Sequence, residues 1–106
     1  MNYKKIDENI GNLIYQARVV KRITQEELTN YVNASIKEED GISPITRQSL
    51  SYYEHGINSI PQGILEIVCK KLNLNWKDVY RKAVEETLLG EEVSDEQIEE
   101  IKKENR

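Results

Sequence analysis

The sequence predicts an all-α fold: a compact five-helix domain with an extended loop between its second and third helices and a helical C-terminal tail. Two observations carry this. Apolar residues recur at spacings of three and four through successive segments, the period of a one-sided helix. Between those segments stand helix-start residues (Thr, Ser, Asn) and helix-end glycines, the punctuation of short helices joined by brief turns. With 106 residues, 38% apolar and 32% charged, the chain suits one core with a short appendage and is too regularly patterned to be disordered.

The first helix is expected from about Asp7 to Lys21, its inner face formed by Ile6, Ile10, Leu13, Ile14 and Ala17. Gly11 within it costs about 1 kcal/mol relative to Ala. The second runs from about Thr24 to Asn33. Thr24 caps it, Glu27 stands where a capping box places its acid, and Leu28, Tyr31 and Val32 turn inward.

Residues 34–44 break the pattern with Lys37-Glu38-Glu39-Asp40-Gly41 and Ser43-Pro44, which read as a solvated loop or as an extension of helix two through Glu39. Thr46 caps a third helix that ends near His55, where Gly56 takes the left-handed conformation cheaply. Pro61 opens a fourth, with Ser59 as its candidate cap and Ile64, Leu65, Val68, Cys69 and Leu72 inside. Asn75 caps a fifth, from Trp76 to about Leu88, with Val79 inward and Gly90 ending the region. Ser94-Asp95-Glu96-Gln97 before Ile98 and Ile101 reads as a separate, marginal tail helix.

Charge divides the chain in two. Residues 1–82 carry twelve Lys or Arg against ten Asp or Glu, a net of +2; residues 83–106 carry three against nine, a net of −6. The overall −4 therefore describes the tail, and a mildly basic body remains open to phosphate. The expected division is accordingly a mildly basic helical domain at 1–82 and an acidic, helical tail at 83–106.

No apolar run approaches the ~20 residues of a membrane span, and the first eight residues lack a signal peptide's apolar stretch. With a single cysteine, Cys69, these features point to the cytoplasm. No phosphate loop, nucleophile–base set or His/Cys metal spacing is present, so no catalytic residue, metal or cofactor is expected, and an enzyme is not. His55 reads as a helix-end residue favoured by the dipole, and Cys69 as a small core residue.

On the third helix Leu50 and Tyr53 face inward, leaving Arg47, Gln48, Ser49, Ser51 and Tyr52 outside. Arg forks onto guanine, Gln both donates to and accepts from adenine, and Ser lets backbones approach. The cluster lies in the first turn, the part of a recognition helix that enters the major groove.

The run Thr24-Gln25-Glu26-Glu27-Leu28, then Ile45-Thr46, Ser49-Leu50-Ser51, Glu54 and Gly56, then Pro61, Leu65, Val68-Cys69 and Leu72-Asn73-Leu74, resembles the Cro/C1-type (Xre) helix-turn-helix family. The resemblance covers roughly Ile10 to Val79. It implies a lambda-repressor-like domain that binds double-stranded DNA as a homodimer and regulates transcription, usually as a repressor.

It also implies residue roles. Arg47, Gln48 and Tyr52 match positions facing base edges, and Ser49 one near base or phosphate. Gln25 matches a phosphate contact at the start of helix two, with Thr46, Ser51, Lys21 and Arg22 as further phosphate candidates. Arg18 and Glu54 match a partly buried ion pair between helices one and three. The family's turn between helices two and three has three or four residues; the roughly eleven extra here leave the relative placing of those helices open. Lys4, Lys5 and Lys37 are further cations that can approach DNA there, whereas Glu38-Glu39-Asp40 disfavour it.

Two other readings stand beside the regulator. The acidic tail, outside the resemblance, suits an antitoxin that holds a protein partner through residues 83–106. The inserted loop and net acidity suit an interaction module that kept the fold and lost DNA binding.

Overall fold

The computed structural model describes residues 2–92, with side chains through Gly90, and the described residues are helical throughout their regular structure. Helix α1 spans Tyr3–Val20, α2 Gln25–Ser35, α3 Arg47–Glu54, α4 Gln62–Lys71 and α5 Trp76–Glu92. A single 3-10 turn, Glu38–Asp40, lies between α2 and α3.

Helices α1, α2, α3 and α5 start where a side chain can satisfy orphan amides. Thr24 accepts from Glu27 N at 3.0 Å, Thr46 from Ser49 N at 3.0 Å, and Asn75 from Lys77 N at 2.9 Å. Helix α1 starts earlier than expected, because Asn2 caps it by accepting from Lys5 N at 3.1 Å. Ser59 does not cap α4: its hydroxyl donates to Asp7 Oδ2 at 2.5 Å, and Pro61 occupies the cap position. Gly56 has φ 69°, the left-handed ending expected after α3.

The core joins the predicted inner faces: Ile6, Ile10 and Ile14 of α1, Leu28 and Val32 of α2, Leu50 of α3, Ile64, Leu65, Val68 and Cys69 of α4, and Val79 and Ala83 of α5, with Ile45 and Leu72 from the connections. Helix α1 packs on α5 and α3, α2 on α4 and α3, and α4 on α5. At Gly11, α1 lies so close to α3 that an added Cβ would run into the carbonyl oxygens of Tyr53 and Glu54. The glycine that looks like a helix defect is the condition for α1–α3 contact.

Helix α5 does not stop near Leu88: it runs through Gly90 to Glu92. Ala83 and Thr87 are buried on it, and Asn9 of α1 donates to the Thr87 hydroxyl at 3.0 Å. The division between residues 82 and 83 thus falls inside α5, at the edge of a face that packs on α1. The tail helix expected from Ser94 lies outside the described residues. Among the described residues no helix is long and apolar enough to cross a membrane.

Candidate nucleic-acid interface

The outer side of α3 follows from its inner side. Leu50 is fully buried and Tyr53 half-buried, so residues a quarter-turn or more away emerge: Arg47, Gln48 and Tyr52 are exposed, while Ser49 and Ser51 are half-buried. Thr46 stands at the tip, exposed, with its hydroxyl held to Ser49 Oγ at 2.9 Å. Gln48 Nε2 donates to the Tyr52 hydroxyl one turn on, at 2.7 Å. His55 closes the helix with Nδ1 2.7 Å from the Ser51 carbonyl oxygen.

Beneath this surface lies a chain of polar contacts. Arg18 of α1 donates from Nε to Glu54 Oε2 at 2.6 Å and from Nη2 to Oε1 at 3.0 Å. Its Nη1 donates to the Ile23 carbonyl at 2.8 Å, which ties the α1–α2 turn to the same pair. Gln25 Nε2 donates to Glu54 Oε1 at 2.9 Å, and Gln25 Oε1 accepts from Arg47 Nε at 3.5 Å.

Arg18, Glu54, Gln25 and Arg47 therefore form one line from the buried interior to the exposed first turn of α3. Burial of two charges is costly, and two further hydrogen bonds to them, from Arg18 to the Ile23 carbonyl and from Gln25 to Glu54, offset the cost. The Gln25 amide, a phosphate candidate by resemblance, is engaged on both sides here; one Nε2 hydrogen and the backbone N–H groups of Gln25 and Glu26 remain to meet an anion, that of Glu27 being held by Thr24.

Lys21 and Arg22 are exposed in the turn that Arg18 anchors, Arg22 at φ 58°, next to the α2 N-terminus. Glu26 and Glu27 are exposed in the first turn of α2 and oppose the cations there. Lys4 and Lys5 start α1, whose Glu8 lies against Gly56, so they stand at the opposite end of α3 from Arg47.

The long connection is tied back to α2 immediately ahead of α3. Asn33, at the end of α2, donates from Nδ2 to the Ile45 carbonyl at 2.9 Å and accepts from Ile45 N at 2.9 Å. Both backbone groups of the residue just before the Thr46 cap are thus fixed to α2. Ile36 and Ile42 pack on the core, and Ile42 sits so close over Gly63 of α4 that a Cβ there would be 2.6 Å from Ile42 Cδ1. The acids Glu38, Glu39 and Asp40 remain exposed, so the loop is solvated on one side and anchored on the other.

Sequence reasoning missed Asn33 and the bridging role of Gln25. Asn33 carries no local signal, because its partner lies twelve residues on, across the insertion. Gln25 was placed at the interface by resemblance, but its two side-chain partners depend on how α3 docks.

Comparison with known proteins gives three relatives of modest identity. The chain is 31% identical over 70 residues to the antitoxin PezA of Streptococcus pneumoniae, a match covering 66% of this chain and 37% of that protein. It is 30% identical over 83 residues to an uncharacterised HTH-type transcriptional regulator of Rickettsia conorii, covering 78% of this chain and 57% of that one. A protein of the same description from Rickettsia prowazekii is 30% identical over 83 residues, covering 78% and 55%. The chain thus spans between about a third and three-fifths of the length of the curated relatives it matches. No protein-family model matches the chain, and no solved structure matches it.

Proposed function

We propose that the chain is a DNA-binding transcriptional regulator of the Cro/C1-type (Xre) helix-turn-helix kind, reading double-stranded DNA in the major groove with α3. The observation that carries this is the exposed first turn of α3: Arg47, Gln48 and Tyr52 stand clear of the core, and Arg47 is steadied through Gln25 by the buried Arg18–Glu54 pair. Reading groups held by a rigid frame lose little freedom on binding. The two relatives named as HTH-type regulators support the same reading.

In this account Arg47, Gln48 and Ser49 face base edges, and Tyr52 lies on the same exposed face, one turn on from Gln48. Thr46, Ser51, Gln25, Lys21 and Arg22 hold phosphates and set the register. The protein acts in the cytoplasm as a repressor. Two protomers read half-sites about one helical turn apart, ~34 Å. Exposed Tyr80 and Leu88 with half-buried Val84, one stripe of α5, offer apolar area for that pairing.

The test is fluorescence anisotropy with a mixed-sequence duplex over a range of salt. Affinity that falls linearly in log salt supports the reading. Folded protein with no duplex affinity at low salt contradicts it and favours the partner-binding module.

A second reading is favoured by the likeness to an antitoxin and by the acidity of residues 83–106. In it the same α3 binds DNA and the tail holds a protein partner. Co-purification of a partner with the full chain, lost on truncation after Glu92, supports it; partner binding that survives the truncation contradicts it.

A further inference from the structure

We propose that Tyr52 is a positioning residue that makes Gln48 select adenine over guanine; the inference rests on the reading of α3 as the DNA-reading helix. The two side chains are one turn apart, and Tyr52 accepts a hydrogen bond from Gln48 Nε2 at 2.7 Å. Long side chains on a helix lean toward its N-terminus, so the Tyr52 ring, 36% exposed, brings its hydroxyl back to the amide of Gln48.

A primary amide offers two N–H donors and one oxygen acceptor. With one hydrogen given to Tyr52, Gln48 retains one donor and one acceptor. Adenine presents an acceptor, N7, beside a donor, N6, in the major groove. That edge matches what remains of Gln48. Guanine presents two acceptors, N7 and O6. Matching it needs both amide hydrogens, and one is occupied; the Gln48 oxygen is then left facing O6.

The last torsion of a glutamine is broad and roughly two-fold, so an unrestrained amide turns over easily. The phenol can hold either end of the amide; in the orientation seen it holds the nitrogen, and the oxygen is left for the base edge. Without its hydroxyl, Gln48 can offer both hydrogens to guanine or reverse its donor and acceptor. Tyr52 thus acts through Gln48 rather than as a reader of its own base. Arg47, next to it, is tethered only through Nε and keeps its terminal nitrogens for guanine's two acceptors.

The experiment is selection from a random duplex library with the full chain in four forms: unaltered, Tyr52→Phe, Gln48→Ala and the double variant, each shown by circular dichroism to melt cooperatively. The unaltered protein should enrich adenine at the position that Gln48→Ala blunts. Tyr52→Phe should lower the adenine-over-guanine ratio at that same position by about tenfold, within the range of one bidentate base contact, and leave the other positions alone. The double variant should match Gln48→Ala, as coupled residues do.

An unchanged profile for Tyr52→Phe overturns the proposal. So does a change at a position that Gln48→Ala leaves intact, which would make Tyr52 a direct reader. Guanine at the Gln48 position also overturns it, since the amide would then stand the other way round. A folded, unaltered chain that enriches nothing fails the DNA-reading account itself, an outcome distinct from all of these.

Discussion

Glu54 of α3 receives two hydrogen bonds from Arg18 of α1, 36 residues earlier, at 2.6 and 3.0 Å, and the pair is buried. A charge left alone there has no water to turn to. Glu54→Ala should therefore destabilise the chain by about 3–5 kcal/mol, as breaking a buried pair does. Arg18→Met combined with Glu54→Leu should cost much less, because neither charge is stranded. Urea denaturation of the three proteins checks this, and a double variant as unstable as Glu54→Ala would contradict it.

Gly11 and Gly90 are both interior to helices, and they should respond oppositely to alanine. At Gly11 the new methyl group meets the carbonyls of Tyr53 and Glu54, so Gly11→Ala should cost about 1–3 kcal/mol or more in spite of alanine's better helix propensity. At Gly90 nothing lies within 4 Å, and Gly90→Ala should be neutral or stabilising by up to about 1 kcal/mol. Thermal melts of the two variants give the comparison.

Asn33→Ala removes both hydrogen bonds that fix Ile45 to α2. We expect a loss of about 1–3 kcal/mol in stability, since two half-buried backbone groups lose their partners. DNA affinity should fall further than the stability loss explains, because the residue ahead of the α3 cap is no longer fixed. Binding measured where the variant remains fully folded separates the two effects.

Burial pushes the Cys69 thiol up from 9.0 to about 11. The unfolded chain therefore gives up this proton first. Stability linked to Cys69 is fully present below pH 9 and falls as pH rises toward 11. Native protein at pH 8 should resist thiol reagents until it is unfolded, and Cys69→Ala should flatten the alkaline decline. Rapid labelling of the native protein would contradict the assignment.

Much of this arrangement is legible in the sequence, for a physical reason. Ile6, Ile10 and Ile14, and likewise Leu65, Val68 and Leu72, announce their helices through a period that needs only neighbours. Thr24, Thr46, Asn75 and Gly56 act on backbone groups within a few residues of themselves. The exposure of Arg47, Gln48 and Tyr52 follows from the burial of Leu50.

What was not legible depends on partners distant in sequence. Ser59 looked like a cap and instead holds Asp7 across the fold. Gly90 looked like a stop, but Thr87 and Ala83 carry α5 past it by packing on α1. The insertion carries no local sign of how it is anchored, and Asn33 ties its far end to α2 with contacts no periodicity encodes.

The phosphate candidates can be separated from the base-reading ones by salt. Lys21→Ala and Arg22→Ala should weaken binding to all duplexes alike and each reduce the salt slope by about 1. Glu26→Gln removes an opposing charge from the first turn of α2 and should strengthen binding without changing the preferred sequence. Equilibrium titrations at several salt concentrations report both.

The central claim is that the first turn of α3 reads base sequence. The most direct measurement is selection of bound sequences from a random duplex library at near-physiological salt, with Arg47→Ala/Gln48→Ala alongside the unaltered chain. The account predicts an enriched motif of two half-sites about one helical turn apart, lost or blurred in the double variant at the positions those residues read. The same motif selected equally well by both proteins, or no motif from the folded chain, would contradict it.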